Sequence, residues 1–244
     1  MKISNQMELP SKLSNLDKKN YVIPVYTNIP NIMVSLYSIS EAEAGRTCNR
    51  ATVGKMKEKH MLSFASVDFS AIAPMVGDSE LMANEERIYL AKLMPPKLEG
   101  QTWILVFSTS EHGFSLQNMM RKLSSFNGPL LLVLSDLNGN CFGAFLSSIP
   151  SISESFEGTG ETFLFRLKPT IKAFNWTGEN NFFYRVDTQC LIVGSSKGKF
   201  GLWLDRDLNN GRSQSCATFD SEPLAGNSED FVLKTLECWA FDMI

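Results

Sequence analysis

Histidine and cysteine are scarce in this chain: two histidines and five cysteines in 244 residues. Cys48, Cys141, Cys190, Cys216 and Cys238 are odd in number, widely spaced and without a Cys-x-x-Cys pair. That pattern argues against a disulfide framework and a zinc site, and for a reducing compartment. No apolar run approaches the roughly 18 residues of a membrane-crossing helix, so no integral membrane segment is expected. The start Met1-Lys2-Ile3 leads into polar residues as far as Asn20 rather than the apolar core of a signal peptide. A cytoplasmic location is therefore expected, and the sequon Asn175-Trp176-Thr177 is read as coincidence. An excess of cations is also missing. Residues 1–78 carry nine Lys and Arg against seven Asp and Glu, whereas 79–244 carry fourteen against nineteen. A nucleic-acid backbone is bound by clustered cations, so nucleic acid is excluded as the expected partner of the acidic part.

What is present is enough apolar material for a real core, 43% of residues, in a chain long enough for one substantial domain with an appendage. Residues 1–78 read as an N-terminal arm, partly disordered. Ser, Asn and Lys dominate 1–20, and Arg46, Arg50, Lys55, Lys57 and Lys59 form a basic stretch opposed only by Glu58, read as a solvated loop. The compact domain is expected over 79–244. Asp78 or Ser79 is expected to cap a helix carrying Leu81, Ile88, Tyr89 and Leu93, which Pro95-Pro96 stops. Leu116, Met119, Met120 and Leu123 share one face of a second helix. Runs at 103–107, 129–134, 141–146, 162–167, 173–176, 181–186, 190–193, 200–204 and 237–241 read as short strands separated by Gly, Asn or Asp turns, with Asn138-Gly139 the strongest hairpin signal. The fold class expected is α+β, a two-sheet antiparallel β-sandwich flanked by helices.

Several constellations are candidates for chemistry. Ser108, His112 and Asp136 have the residue types of a nucleophile, base and orienting acid, but no Gly-x-Ser-x-Gly elbow accompanies them. Glu161, Asp205 and Asp207 are candidate acid, base or hard-cation ligands, although Asp205 to Gly211 has the composition of a turn whose carboxylates accept backbone N–H bonds. Gly194-Ser195-Ser196-Lys197-Gly198-Lys199 departs from phosphate-loop spacing and is read as a glycine-rich turn. Arg212 stands close in sequence to Cys216, and a guanidinium near a thiol lowers its pKa. This makes Cys216, with Cys141, the candidates for a peroxide-reactive thiol. Gly158-Thr159-Gly160-Glu161 gives a tight backbone path, with positive φ available, just before a strand.

Taken in order, Leu93-Met94-Pro95-Pro96, Ser108-x3-His112-Gly113-x-Ser115-Leu116, Gly158-Thr159-Gly160-Glu161, Trp176-Thr177-Gly178-Glu179-Asn180, Phe200-Gly201-Leu202-Trp203-Leu204-Asp205, Gly211-Arg212-Ser213-x-Ser215-Cys216 and the closing Glu237-Cys238-Trp239-Ala240-Phe241 resemble a TLDc domain over about residues 79–242. They are most similar to its oxidation-resistance and nuclear-receptor-coactivator branch. The resemblance implies a helix-flanked β-sandwich, a role in resistance to oxidative stress, and binding to peripheral subunits of the vacuolar ATPase, whose assembly or activity is regulated. It implies a monomer without a cofactor, recruited to endolysosomal membranes through the pump, with nucleus or mitochondria as further locations. An interaction module is expected ahead of an enzyme, with a thiol peroxide reaction as the alternative. Within the blocks, Gly158, Gly160, Glu161, Asp205, Arg212 and Ser213 are the positions expected to define loops or meet a partner. The chain departs from the family pattern at Gly194-Ser195-Ser196-Lys197-Gly198, where relatives often carry a glycine run, and at Arg206, where glycine is more usual.

Overall fold

The computed structural model describes residues 73–226 and 228–242 and the residue pairs 21–22 and 38–39. The chain divides into two compact units, Met1–Val67 and Asp68–Ile244. In the first, β1 (Tyr21–Val22) and β2 (Ser38–Ile39) pair antiparallel. The rest of that unit, with the disorder expected of residues 1–20 and the basic stretch from Arg46 to Lys59, lies outside the described residues.

The second unit is β-rich with few helices. In chain order it contains β3 (Met75–Val76), α1 (Asn84–Leu93), β4 (Trp103–Ser108), α2 (Thr109–His112), α3 (Leu116–Leu123), β5 (Leu130–Asp136), β6 (Cys141–Leu146), β7 (Phe163–Lys168), β8 (Lys172–Asn175), β9 (Tyr184–Val186), β10 (Cys190–Ser196), β11 (Lys199–Asp205), β12 (Asn210–Arg212) and β13 (Asp230–Phe241). The hydrogen-bonded path runs β8-β7-β6-β5-β13-β12-β11-β10-β9, with β4 also on β13 and β3 on β4. Every ladder in it is antiparallel except β3–β4.

β13 organises this path. Asp230–Val232 pair with β12, Leu233–Ala240 with β5, and Glu237–Phe241 with β4. Register shifts between Leu233 and Thr235 and between Cys238 and Trp239 bend the strand as it passes from one partner to the next. The mostly antiparallel, β-rich character expected from the sequence is present, and β13 keeps the strands on one hydrogen-bonded path.

The apolar pattern of β5 explains its central place. Leu130, Leu132 and Leu134 enter one buried cluster, while Leu131 and Val133 enter another, so both faces are covered. A nearly continuous apolar run fits such a strand, because side chains alternate between faces and neither meets water. The first cluster gathers residues of β5, β6 and β13 with Leu191 and Val193 of β10, Leu202 and Leu204 of β11, and the apolar face of α3. The second lies under α1, with Leu90, Trp103, Phe145, Phe165 and Trp239 buried in it.

α3 forms as its spacing predicts. Ser115 Oγ accepts the Asn118 amide at 3.2 Å, and Leu116, Met119, Met120 and Leu123 are all buried. α1 begins later than predicted, at Asn84. Ser79 does not cap it. Its hydroxyl accepts the Leu81 and Met82 amides at 3.2 and 3.0 Å and donates to Glu237, holding 79–82 as a turn. The cap at α1 comes instead from Glu86, whose carboxylate accepts the Ala83 amide at 2.9 Å.

Candidate interaction surface

The Gly158–Glu161 loop packs by what its glycines lack. Gly158 has φ +108°, and a Cβ there would run into the Tyr184 ring. Gly160 does not have positive φ; its requirement is space, because the Trp176 ring lies where its Cβ would be. Glu161 is exposed and pairs with Lys97 at 2.6 Å, joining this loop to the turn Pro96–Leu98. It touches neither Asp205 nor Arg212 in any hydrogen bond or ion pair among the described residues.

Asp205, at the end of β11, accepts the Asn209 and Asn210 amides at 2.9 and 3.1 Å and the Asn210 side chain at 2.9 Å. This is the turn-closing role its sequence context predicts. Asp207 is exposed, and its ion pair among the described residues is with Arg206, at 3.7 Å. Arg212 and Asp230 face each other across β12 and β13 and form a two-pronged pair, Nε to Oδ1 at 2.5 Å and Nη2 to Oδ2 at 2.9 Å. The pair raises the Arg212 pKa and lowers that of Asp230, through their mutual hydrogen bonds and charges. Ser213 is fully buried; its hydroxyl donates to the Gly201 carbonyl at 2.6 Å and accepts the Leu224 amide at 2.9 Å.

Ser108, His112 and Asp136 are not arranged as a relay. His112 Nδ1 accepts the Ser108 backbone amide at 3.1 Å, and the Ser108 hydroxyl accepts the Ser110 amide at 3.2 Å as the cap of α2. Asp136 is buried and spends its carboxylate on the Asn138 and Asn140 amides and the Asn140 side chain, closing the hairpin between β5 and β6. Of the Gly194–Lys199 stretch, Gly194–Ser196 end β10 and Lys199 begins β11, so the turn is the two residues Lys197 and Gly198, at φ 50° and 75°.

Cys141 and Cys216 are both buried. Removal from water pushes the Cys141 thiol up to about 12, more than Lys168 lowers it; this holds it protonated at neutral pH. Cys216 packs beside Gly194, its sulfur 3.5 Å from the Thr218 hydroxyl. The Arg212 guanidinium, four positions away in sequence, is exposed and engaged by Asp230.

Glu237, which the sequence places in a strand and in the closing block of the resemblance, has an environment neither reading anticipates. Glu237 is 1% exposed, and its carboxylate accepts Ser79 Oγ at 2.7 Å, Glu80 N at 2.6 Å and Trp239 Nε1 at 3.0 Å. Burial raises its pKa more than these bonds lower it. A lone carboxylate inside the apolar run 236–241 was the available signal, since glutamate is rarely buried without partners. Tertiary placement alone reveals a shallow groove of about 610 Å³, lined by Leu137, Phe200, Trp203 and Val232 with the Arg212–Asp230 pair beside them. Leu137 is 66% exposed and Val232 48%. On another part of the surface Trp176 and Phe182 are 40% and 48% exposed beside the Gly158–Glu161 loop.

A model of the TLDc domain family matches residues 75–242. The chain belongs to the TLDc domain family. The TLDc region is 44% identical over 164 residues to human nuclear receptor coactivator 7, covering 67% of this chain and 17% of that protein. It is 40% identical over 179 residues to human oxidation resistance protein 1, covering 73% of this chain and 20% of that protein. Against oxidation resistance protein 1 of Xenopus tropicalis it is 43% identical over 164 residues, 67% and 19% of the two chains. The match spans about a fifth of the length of these relatives. No described helix is long and apolar enough to cross a membrane.

Proposed function

We propose that this TLDc domain is a non-catalytic interaction module that binds peripheral subunits of the vacuolar proton-pumping ATPase, regulates its assembly or activity, and thereby serves protection against oxidative stress. The observation that carries the reading is the use to which the reactive residue types are put. His112, Ser108, Asp136, Asp205 and Ser213 each hold a turn or a strand end, while Phe114, Leu137, Trp176, Phe182 and Val232 leave large apolar or aromatic side chains exposed on the frame so built. Polar groups engaged in this way build a rigid frame, and apolar groups left on it are what a partner desolvates. The family resemblance supplies the pump as the partner, and the relatives named for oxidation resistance support the stress role. On this reading the strand path folds over the first core cluster as two facing leaves, and the domain works as a cytoplasmic monomer recruited to endolysosomal membranes by the pump. The test is capture of the purified peripheral sector of the vacuolar ATPase on the immobilised full chain. Retention of its subunits above an unrelated β-rich protein supports the proposal, and recovery at control level overturns it.

A further inference from the structure

Trp176 is the most exposed tryptophan side chain of the described residues that is also fixed in place. Its Nε1 donates to the Asn180 carbonyl at 2.8 Å, its ring lies over Gly160, and its edge meets Phe183 at 5.5 Å between centroids. Next along the same edge, Phe156 packs against Phe182 at 5.1 Å. Phe156 lies four positions from Gly160 beneath Trp176, at most about 14 Å of extended chain. Ile152, 59% exposed, continues the strip through its bridge to Val186 of β9. Trp176, Phe182 and Ile152 thus form an apolar band held by backbone bridges and by glycine-permitted packing.

The two chain stretches that build the band carry charge of one sign. No Lys or Arg occurs between residues 123 and 165 or between 173 and 184, yet these stretches contribute Glu154, Glu157, Glu161 and Glu179. At the Ile152 end Arg121 and Arg206 line the neighbouring hollows, Arg121 donating to the Asn118 side chain at 2.8 Å and Arg206 facing Asp207 at 3.7 Å; along the rest of the band the cations seen are engaged. Lys97 is bound by Glu161, and Arg185 lies over the Phe156 ring at 5.6 Å while paired with Asp187 at 3.3 Å. Glu154 and Glu179 are exposed and have no cation in ion-pair range among the described residues.

We infer that this band docks a segment of a partner protein that combines lysine or arginine with apolar side chains. The inference rests on the reading of the domain as an interaction module and names the surface and the chemistry of what it binds. Carboxylates around exposed aromatic rings attract cations and repel anionic lipid or nucleic acid. The faces of Trp176 and Phe182 offer cation–π contacts to the same lysine or arginine side chains. Because Trp176 is fixed before binding, little side-chain entropy is lost when it is covered, which favours an anchor of this kind.

The test uses the full chain and a fluorescent amphipathic peptide of alternating Lys and Leu blocks, with a Glu and Leu peptide of the same length as control, read by anisotropy. Saturable binding of the Lys peptide alone is expected. It should weaken about tenfold in Ile152→Ser/Phe182→Ser and in Glu154→Lys/Glu179→Lys, and stay unchanged in Leu137→Ser/Val232→Ser on the other exposed patch. All six side chains are exposed, and unfolding midpoints check that each variant is folded. Equal affinity in the band variants and the wild type, or equal binding of the Glu peptide, overturns the assignment. Capture of the pump sector is measured beside it. Failure of the wild-type chain to retain the pump, with peptide binding intact and band-dependent, overturns the proposed function and leaves the docking surface standing.

Discussion

At the scale of the residue, Gly158 and Gly160 are required for different reasons, and substitution separates them. Gly158 sits at positive φ against Tyr184, so any side chain there meets both backbone strain and a ring. Gly160 meets only the Trp176 ring. Gly160→Val is therefore expected to push Trp176 outward and to cost about 1–3 kcal/mol, the usual range for forcing extra methyl groups into packed space. Urea unfolding measures the cost and a red shift of tryptophan emission reports the displaced ring; an unchanged midpoint would refute the packing described. Glu161 is the opposite case. Its partner Lys97 is about half exposed, and a solvent-screened pair of this kind contributes at most about 1 kcal/mol. Glu161→Gln should leave the unfolding midpoint almost where it was, so its side chain fastens the loop only weakly.

At the scale of the element, the segment ahead of α1 is secured by Glu237. Removing this carboxylate from water raises its folded-state pKa above the ordinary value of 4.5. With the folded value above the unfolded one, the group's contribution to stability is fully present below pH 4.5 and is lost as pH rises through the folded pKa. The difference in unfolding free energy between wild type and Glu237→Gln should therefore shift against the wild type as pH rises from 4.5 toward neutrality. Each tenfold change in proton affinity is worth about 1.4 kcal/mol. Urea titrations of both proteins at a series of pH values measure this, and a pH-independent difference would mean that the carboxyl titrates alike in folded and unfolded chains. The comparison with the variant is needed because Asp187, Glu222 and Asp230, whose pKa values are lowered, tilt the total in the other direction.

At the scale of the whole molecule, β13 is hydrogen-bonded to β4, β5 and β12 and carries residues of both core clusters. Its loss removes the shared strand rather than an edge. A chain ending at residue 229 is expected to lose cooperative unfolding altogether, as seen by circular dichroism and calorimetry; a retained sharp transition would show that the remaining ladders stand alone. The same topology brings residues more than a hundred positions apart into register, as with Glu237 and Ser108, so slow folding on the millisecond-to-second scale follows for the intact domain.

Much of this molecule is legible from the chain alone. Periodicity places α3 and its four buried residues, because a helical face is a local property of spacing. The β5–β6 hairpin follows from Asn138-Gly139 between apolar runs, and Asp205 follows from a turn composition that calls for a carboxylate on nearby amides. Less was legible where a residue's partner is distant. Ser79 has the chemistry of a helix cap, yet the amides its oxygen accepts belong to a turn at 79–82, its hydroxyl donates to Glu237, 158 positions away, and α1 starts only at Asn84. Gly160 looks like a turn glycine and is a contact for Trp176. The sequence by itself determined the family, the β-rich character and the loops that close locally, since those depend on residue order and near neighbours. The tertiary structure decided that β13 is shared by β4, β5 and β12, which candidate reagents are consumed as fasteners, and that Trp176 and Phe182 stand exposed beside the Gly158–Glu161 loop. Those facts depend on which distant side chains meet, and the linear order of residues does not record that.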